Sequence, residues 1–268
     1  MTGAGVVASL WRYPVKSLLG EELDRAVVGE RGLAGDRAYA LIDVASGKVV
    51  SAKNPGQGAL LFACRAEFLE APDPGDADPP PAQLTLPDGA TVRTHDRDVD
   101  QQLSRVLGRA VRLTARVPEK PVIDDEQISL LSPPGTFFDA APMHVLTTAS
   151  LAALAAANPA GRFDPRRFRP NVLLDTGGAG FVENDWIDAS LRLGADVALH
   201  LVMSAPRCVM TTLPQEDLPP DNAILQTVAR ENRFDIPGLG PSSCVGVYGV
   251  VSAGGAIACG DAARLEPR

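Results

Sequence analysis

The sequence has no Cys-x-x-Cys pair and no His-Glu-x-x-His run, and its four cysteines (Cys64, Cys208, Cys244, Cys259) and three histidines (His95, His144, His200) are widely scattered. That scatter argues against a zinc ribbon, an iron–sulfur signature of the usual spacing or a metalloprotease helix, since each needs closely spaced ligands. No long run of Lys and Arg interrupts a chain whose formal net charge is -8. Such a field repels a phosphate backbone, so no nucleic-acid partner is expected. The apolar runs fall short of the ~20 residues needed to span a bilayer, and MTGAGVVASLWRYPVKS has no cationic region ahead of its short apolar run. The reading is a cytoplasmic protein with no membrane association, in which an even cysteine count does not imply disulfides.

What is present is enough for one large core or two modest ones: 268 residues, 45% of them hydrophobic. Residues 6 to 116 read as short β segments: Val6 to Tyr13, Leu23 to Val28, Ala38 to Asp43, Leu60 to Leu69, Gln83 to Leu86 and Val111 to Ala115. Turn glycines punctuate them. APDPGDADPPPAQ, Ala71 to Gln83, reads as a mobile excursion between two strands. A helix is predicted over Arg97 to Leu107, stopped by Gly108. Pro and charge in VPEKPVIDD, Val117 to Asp125, place a domain boundary near residue 120, giving regions 1–120 and 121–268. The second region carries a helix over Ala149 to Ala157 capped by Thr148, another over about Ala223 to Glu231 capped by Asp221 or Asn222, and strands at Asn171 to Asp175, Leu191 to Leu193, Val197 to Met203, Val245 to Val251 and Ala256 to Cys259. The fold class is mainly β with a few helices (α+β).

Two loop motifs fail their contextual tests. GGAG, Gly177 to Gly180, follows a strand but leads into FVENDWID, an irregular turn and not the helix a dinucleotide loop must open. GPSSC, Gly240 to Cys244, is not a hydrolase elbow. Cations recur beside loop signals at Lys16-Ser17, Arg37, Lys53-Asn54 and Arg166-Arg167-Phe168-Arg169-Pro170-Asn171. Singly they solubilise; converging with the helix start at Thr148, they would make a receptor for one compact phosphate-bearing cofactor. Cys64 and Cys259 read as small buried hydrophobes within apolar runs. Cys208 differs, because Pro206 ends the strand before it and sets the thiol beside Arg207, with Thr211 and Thr212 just beyond. A thiolate there would suit a transition metal whose other sulfur ligands come from an organic cofactor.

LWRYPVKSLLGEEL and GLAGDRAYALID, then RFRPNVLLD, FVENDWID, LRLG, PRCVMTTLPQ and VGVYGVVSAGGAIACGD, occur in one order along nearly the whole chain. In this order they resemble the MOSC family, in the branch with a MOSC N-terminal β-barrel domain. The resemblance implies an N-terminal β-barrel-like lobe plus a MOSC β-barrel domain, with molybdenum cofactor (molybdopterin) between them. Cys208 is implied as the molybdenum ligand and catalytic residue, and Lys16, Ser17, Arg37, Thr148, Arg169, Asn171, Arg207 and Tyr248 as cofactor-binding residues. Asp139 in FFDAAP is implied near the metal, although Ala141 stands where some relatives have serine. The implied activity is reduction of N-hydroxylated compounds (amidoximes, hydroxylamines, N-hydroxylated base analogues), small-molecule substrates, by a molybdenum-dependent enzyme. Some relatives carry a ferredoxin-like extension and this sequence stops at LEPR, so separate electron-transfer proteins are expected as partners. The alternative is a carrier of the cofactor, or a sulfur-transfer module, without turnover of its own. Pyridoxal phosphate binding is a further property associated with the resemblance.

Overall fold

The computed structural model describes residues 2–76, 78–115, 132–133 and 136–266. In the first half, strands β1 (Thr2–Arg12), β2 (Glu21–Leu23), β3 (Arg25–Gly29), β4 (Gly32–Leu33) and β5 (Ala40–Asp43) precede helix α1 (Pro55–Phe62). Then come β6 (Arg65–Phe68), β7 (Ala82–Thr85), β8 (Thr91–Arg93), helix α2 (Val99–Leu107) and β9 (Val111–Thr114). The second half holds β10 (Met143–Thr147), α3 (Thr148–Ala157), β11 (Val172–Asp175), β12 (Ser190–Leu193) and β13 (Val197–Pro206). It ends with α4 (Ala223–Glu231), β14 (Arg233–Ile236), β15 (Gly240–Ala253), β16 (Gly255–Ala258) and β17 (Ala262–Glu266). Among the described residues no helix is long and apolar enough to cross a membrane.

Strands β10, β11, β1, β17, β12, β13 and β15 pair in that order, and β15 returns to β10, so a seven-stranded barrel closes. Closure leaves no open edge between those strands. Its inward side chains form one apolar core, with Leu10, Val145, Val172, Leu174, Leu191, Leu193, Leu199 and Val247 all at 0% exposure. β10 and β11 run parallel, and α3 makes the crossover between them that a parallel pair requires. The N-terminal strand β1 is thus a stave of the barrel built otherwise from residues beyond 142, pairing with β11 and β17. β13 and β15 shift register at three places, the last two between Leu201 and Pro206. Such bulges bend a strand and re-aim the residues beyond it. Here those residues are Arg207 and Cys208.

The N-terminal lobe is assembled from β6-β7-β8, from β5-β9 and from β3-β4, to which β16 adds. Helices α1 and α2 help fill its core, in which Leu18, Leu41, Leu61, Phe62, Leu84 and Leu103 are buried. Leu213, from the second half, is buried in the same cluster, with Met210 packed against it. Gly58 of α1 makes the seat: a Cβ there would lie 2.4 Å from Leu213 Cδ1.

Several sequence expectations change. Leu60 to Leu69 is not one strand, because Asn54 caps α1 through Gly56 N (3.1 Å), Pro55 occupies the first turn, and only Arg65–Phe68 is extended. Thr147, not Thr148, caps α3, its hydroxyl accepting from Ser150 N at 3.1 Å. Of the two residues offered for α4, Asn222 holds the N-cap position without a side-chain bond, and Asp221 accepts from Ala223 N at 2.8 Å. Cys259 is exposed, just past the end of β16, whereas Cys64 is buried. The Pro-rich excursion is pinned: the Tyr39 hydroxyl lies 3.1 Å from both the Pro79 and Pro80 carbonyls, and a Cβ at Gly35 would meet Pro72 at 2.6 Å. The domain boundary near residue 120 and the segment VPEKPVIDD fall largely or wholly among residues 116–131, outside the described residues.

Candidate functional site

Where the barrel mouth meets the N-terminal lobe, a cavity of about 200 Å³ collects side chains far apart in the chain. Lys16, Arg37, Lys53, Arg167, Arg169 and Arg207 line it, and Asp139 is the one carboxylate among its described lining residues. On a chain of net charge -8 this is a local reversal of sign. Cys208, Ser17, Asn171 and Tyr248 line it too. Of the residues expected to form the site, only Thr148 is elsewhere. It begins α3 at the far end of β10, four residues from the cavity-lining His144 and so about 13 Å away at ~3.3 Å per residue. Its hydroxyl bonds Asp175 at 3.1 Å.

The chain bends sharply to reach this point. Ser17, Arg37 and Arg169 have φ of 67°, 48° and 54°. Left-handed backbone is costly for residues with a side chain, and it persists where surrounding structure over-determines it, commonly at binding sites. Asp36 is part of that structure: Oδ1 accepts from Tyr13 N at 2.8 Å, and Oδ2 accepts from Asn171 Nδ2 at 2.9 Å and from Arg37. Asn171 also receives His144 N on Oδ1 at 3.1 Å and donates to the Trp11 carbonyl at 3.3 Å. Its amide is therefore committed to tying the lobes at the mouth.

Tyr13 lies between two of the cations, with Arg169 Cζ 4.0 Å and Arg37 Cζ 4.6 Å from its ring centroid. A ring face is attractive to guanidinium, and here it holds two like charges together. Arg169 Nη1 donates to the Leu18 carbonyl at 2.7 Å, but Nη2 is buried without a partner among the described residues. Burial, then the charge of Arg37, pushes the Arg169 pKa down to about 10, so it stays cationic at neutral pH. An unpaired buried cationic donor is costly unless something satisfies it.

Lys16 Nζ contacts Asp139 Oδ1 at 2.5 Å and the Phe137 carbonyl at 2.7 Å, while Lys53 Nζ lies 3.7 Å from the same carboxylate. Burial alone would raise the Asp139 pKa, but Lys16 and then Lys53 pull it down to about 2. Burial in turn lowers that of Lys16, with Asp139 opposing. The Ser17 hydroxyl accepts from Ala52 N at 3.1 Å, fixing the loop that carries Lys53. Arg207 donates to the Phe168 carbonyl at 2.7 Å and to the Tyr248 oxygen at 2.8 Å. The Tyr248 hydroxyl oxygen is thus the acceptor in that bond.

His144 packs on Tyr248, ring centroids 5.4 Å apart. Burial, then Arg207, holds its pKa well below the ordinary imidazole value, so it is neutral. Cys208 is a half-buried free thiol at the head of a short 3₁₀ turn, Val209–Thr212. No group of three or more His, Cys, Asp or Glu suited to a metal occurs among the described residues. The sequence reading assigned no site role to Tyr13 or His144. His144 sits in an apolar run and Tyr13 at the end of a strand-like one, and nothing in the sequence separates either from core residues.

Residues 133–264 match the MOSC domain, and residues 4–108 match the MOSC N-terminal beta barrel domain. The chain is 26% identical to mitochondrial amidoxime-reducing component 1 of Homo sapiens over 284 residues, covering 97% of this chain and 83% of that one. Against component 1 of Mus musculus it is 27% identical, covering 78% of this chain and 66% of that one. Against component 2 of Macaca fascicularis the figures are 25%, 78% and 67%. Among solved structures, the YUAD protein of Bacillus subtilis superposes with a TM-score of 0.48 at 12% identity, covering 97% of this chain and 94% of that one. With both domain matches falling on the two lobes that meet at this cavity, the chain belongs to the MOSC family.

Proposed function

We propose that this cavity binds molybdenum cofactor and that the protein reduces N-hydroxylated compounds with electrons from separate partner proteins. The observation that carries the reading is the buried Nη2 of Arg169, which has no partner among the described residues, in a cavity lined by further cations and by a thiol. Charge-assisted donors of this kind suit a phosphate. A soft thiol with no cluster of protein co-ligands among the described residues suits a metal whose other ligands arrive with an organic group. The residues therefore fit the cofactor: Lys16, Arg37 and Arg169 for its anionic end, and Cys208 for the metal. Pyridoxal phosphate would use the same cations but leave Cys208 without a role.

The relatives named as amidoxime-reducing components suggest the reaction. When bound, the cofactor supplies a two-electron reductant and an oxygen acceptor. An amidoxime plus two electrons and two protons gives an amidine and water, with the N–O bond broken. The protein's own part is to hold and to protonate. Asp139 stays ionised and fixes Lys16; Arg207 fixes the Tyr248 oxygen, leaving the phenol proton directed to a ligand; neutral His144 supports that ring. Phe137, Phe138 and Met210 give the cavity apolar walls, which strengthen the charged contacts by excluding water.

Purified protein from a host that makes the cofactor is assayed with benzamidoxime and a chemical reductant. Formation of benzamidine, absent in Cys208→Ser, is the expected result. Bound cofactor with no benzamidine would instead identify a carrier.

A further inference from the structure

The segment Arg162 to Arg169 sends its arginines in different directions. Arg166 faces outward to Asp164, Glu216 and Asp217. Arg169 turns into the cavity. Arg167, between them, is 1% exposed and makes no ion pair among the described residues. It spends its donors on backbone carbonyls: Nε on Arg162 at 3.0 Å, Nη1 on Thr211 and Leu213 at 3.2 and 3.3 Å, and Nη2 on Pro219 at 2.7 Å. Burying a guanidinium without an anion is expensive, and carbonyl bonds offset the cost only when the geometry is held.

The Thr211, Leu213 and Pro219 carbonyls belong to the excursion that carries Cys208, whereas that of Arg162 lies on the same segment as Arg167. Thr211 returns both its N–H and its hydroxyl to the Cys208 carbonyl, at 3.2 and 3.1 Å. One residue before Cys208, Arg207 N donates to the Ser243 carbonyl at 2.7 Å. Leu213 plugs into the N-terminal core from the other side. Backbone bonds thus fix the chain before and after Cys208, and Arg167 is the side chain that binds the later anchor points to one another. Lysine carries the same charge but has a single nitrogen, which cannot span carbonyls that diverge as these do.

We propose that Arg167 is a positioning residue for Cys208, acting through the Thr211 and Leu213 carbonyls to set the thiol facing the cavity. Its consequence for metal retention rests on the cofactor reading above, whereas the positional role does not.

The test compares full-length wild type with Arg167→Lys, and with Arg167→Gln as a second variant should the first fail to fold. Hydrogen exchange at the Thr211 amide and molybdenum per chain are both measured. The expected result is an exchange rate at Thr211 at least about tenfold faster, with amides of β6, β7 and β8 unchanged, and molybdenum content at least halved. A merely structural role would raise exchange across the molecule together with a lower melting temperature, and that outcome overturns the proposal. So does wild-type exchange at Thr211, or faster exchange with metal content intact. If wild type holds no molybdenum, the cofactor reading fails, and the locality of the exchange change alone decides the role of Arg167.

Discussion

Arg169 combines three features that rarely coincide: left-handed backbone, a guanidinium against an aromatic face, and a buried nitrogen with no partner among the described residues. A bound anion removes the last of these. Arg169→Gln is therefore expected to weaken cofactor affinity by about 10- to 100-fold, the size of one charge-assisted hydrogen bond, while leaving the melting temperature of cofactor-free protein unchanged or higher. Titrating released pterin from the variant and wild type measures it. Asp139 gives a pH signature. Its folded pKa, about 2, lies below its ordinary 3.8, so the ionised form favours the folded state. That contribution is complete above about pH 5 and is lost progressively as pH falls through about 2 to about 1. The urea midpoint of Asp139→Asn should lie below wild type at pH 5, and the gap should narrow steadily as pH falls towards 2. The membership of the cavity was largely legible from sequence, since Lys and Arg beside turn signals, with a cysteine just past a strand-ending proline, are the residues that line it. Tyr13 was not, because a tyrosine at the end of a strand-like run is ordinary until two guanidiniums are found over its ring.

At the level of elements, the start of α3 separates capping from binding. Thr147 caps the helix and also bonds the buried Glu183 carboxylate at 2.7 Å. Thr147→Val should cost about 1–2 kcal/mol in chemical denaturation, whereas Thr148→Val should fall within about 0.5 kcal/mol, as a surface change. Because Thr148 lies at the wrong end of β10, its valine variant should also keep its molybdenum. A one-residue ambiguity between adjacent threonines is a common limit of reading caps from sequence, as both suit an N-cap. The strand β10 was unassigned for a different reason: all five of its residues are buried. It shows no period-two alternation, the usual mark of a strand covered on one face only. α2 was legible down to its stop, Gly108 at φ 64°, because its apolar face and its C-terminal glycine agree.

For the whole molecule, the two lobes are not consecutive pieces of chain. β1 is a barrel stave, and Leu213 belongs to the N-terminal core. A fragment of residues 133–266, lacking β1, is expected to show no cooperative thermal transition, since β11 and β17 would both lose their shared neighbour; a sharp transition matching the intact chain would contradict this. Such exchange is hidden from sequence, because composition marks the shift near residue 120 but no local pattern says which sheet the first strand joins. The cavity exists only where these crossed contributions meet, with Lys16, Ser17 and Arg37 from one side and Arg169, Arg207 and Cys208 from the other. The central claim, that it holds a metal-bearing anionic cofactor through Cys208, is tested most directly by molybdenum and pterin content after purification from a cofactor-producing host, comparing wild type with Cys208→Ala. Near-stoichiometric molybdenum in wild type that falls severalfold in the variant is the predicted result. Absence of both molybdenum and pterin from wild type, while a control molybdenum enzyme from the same host is loaded, would contradict it.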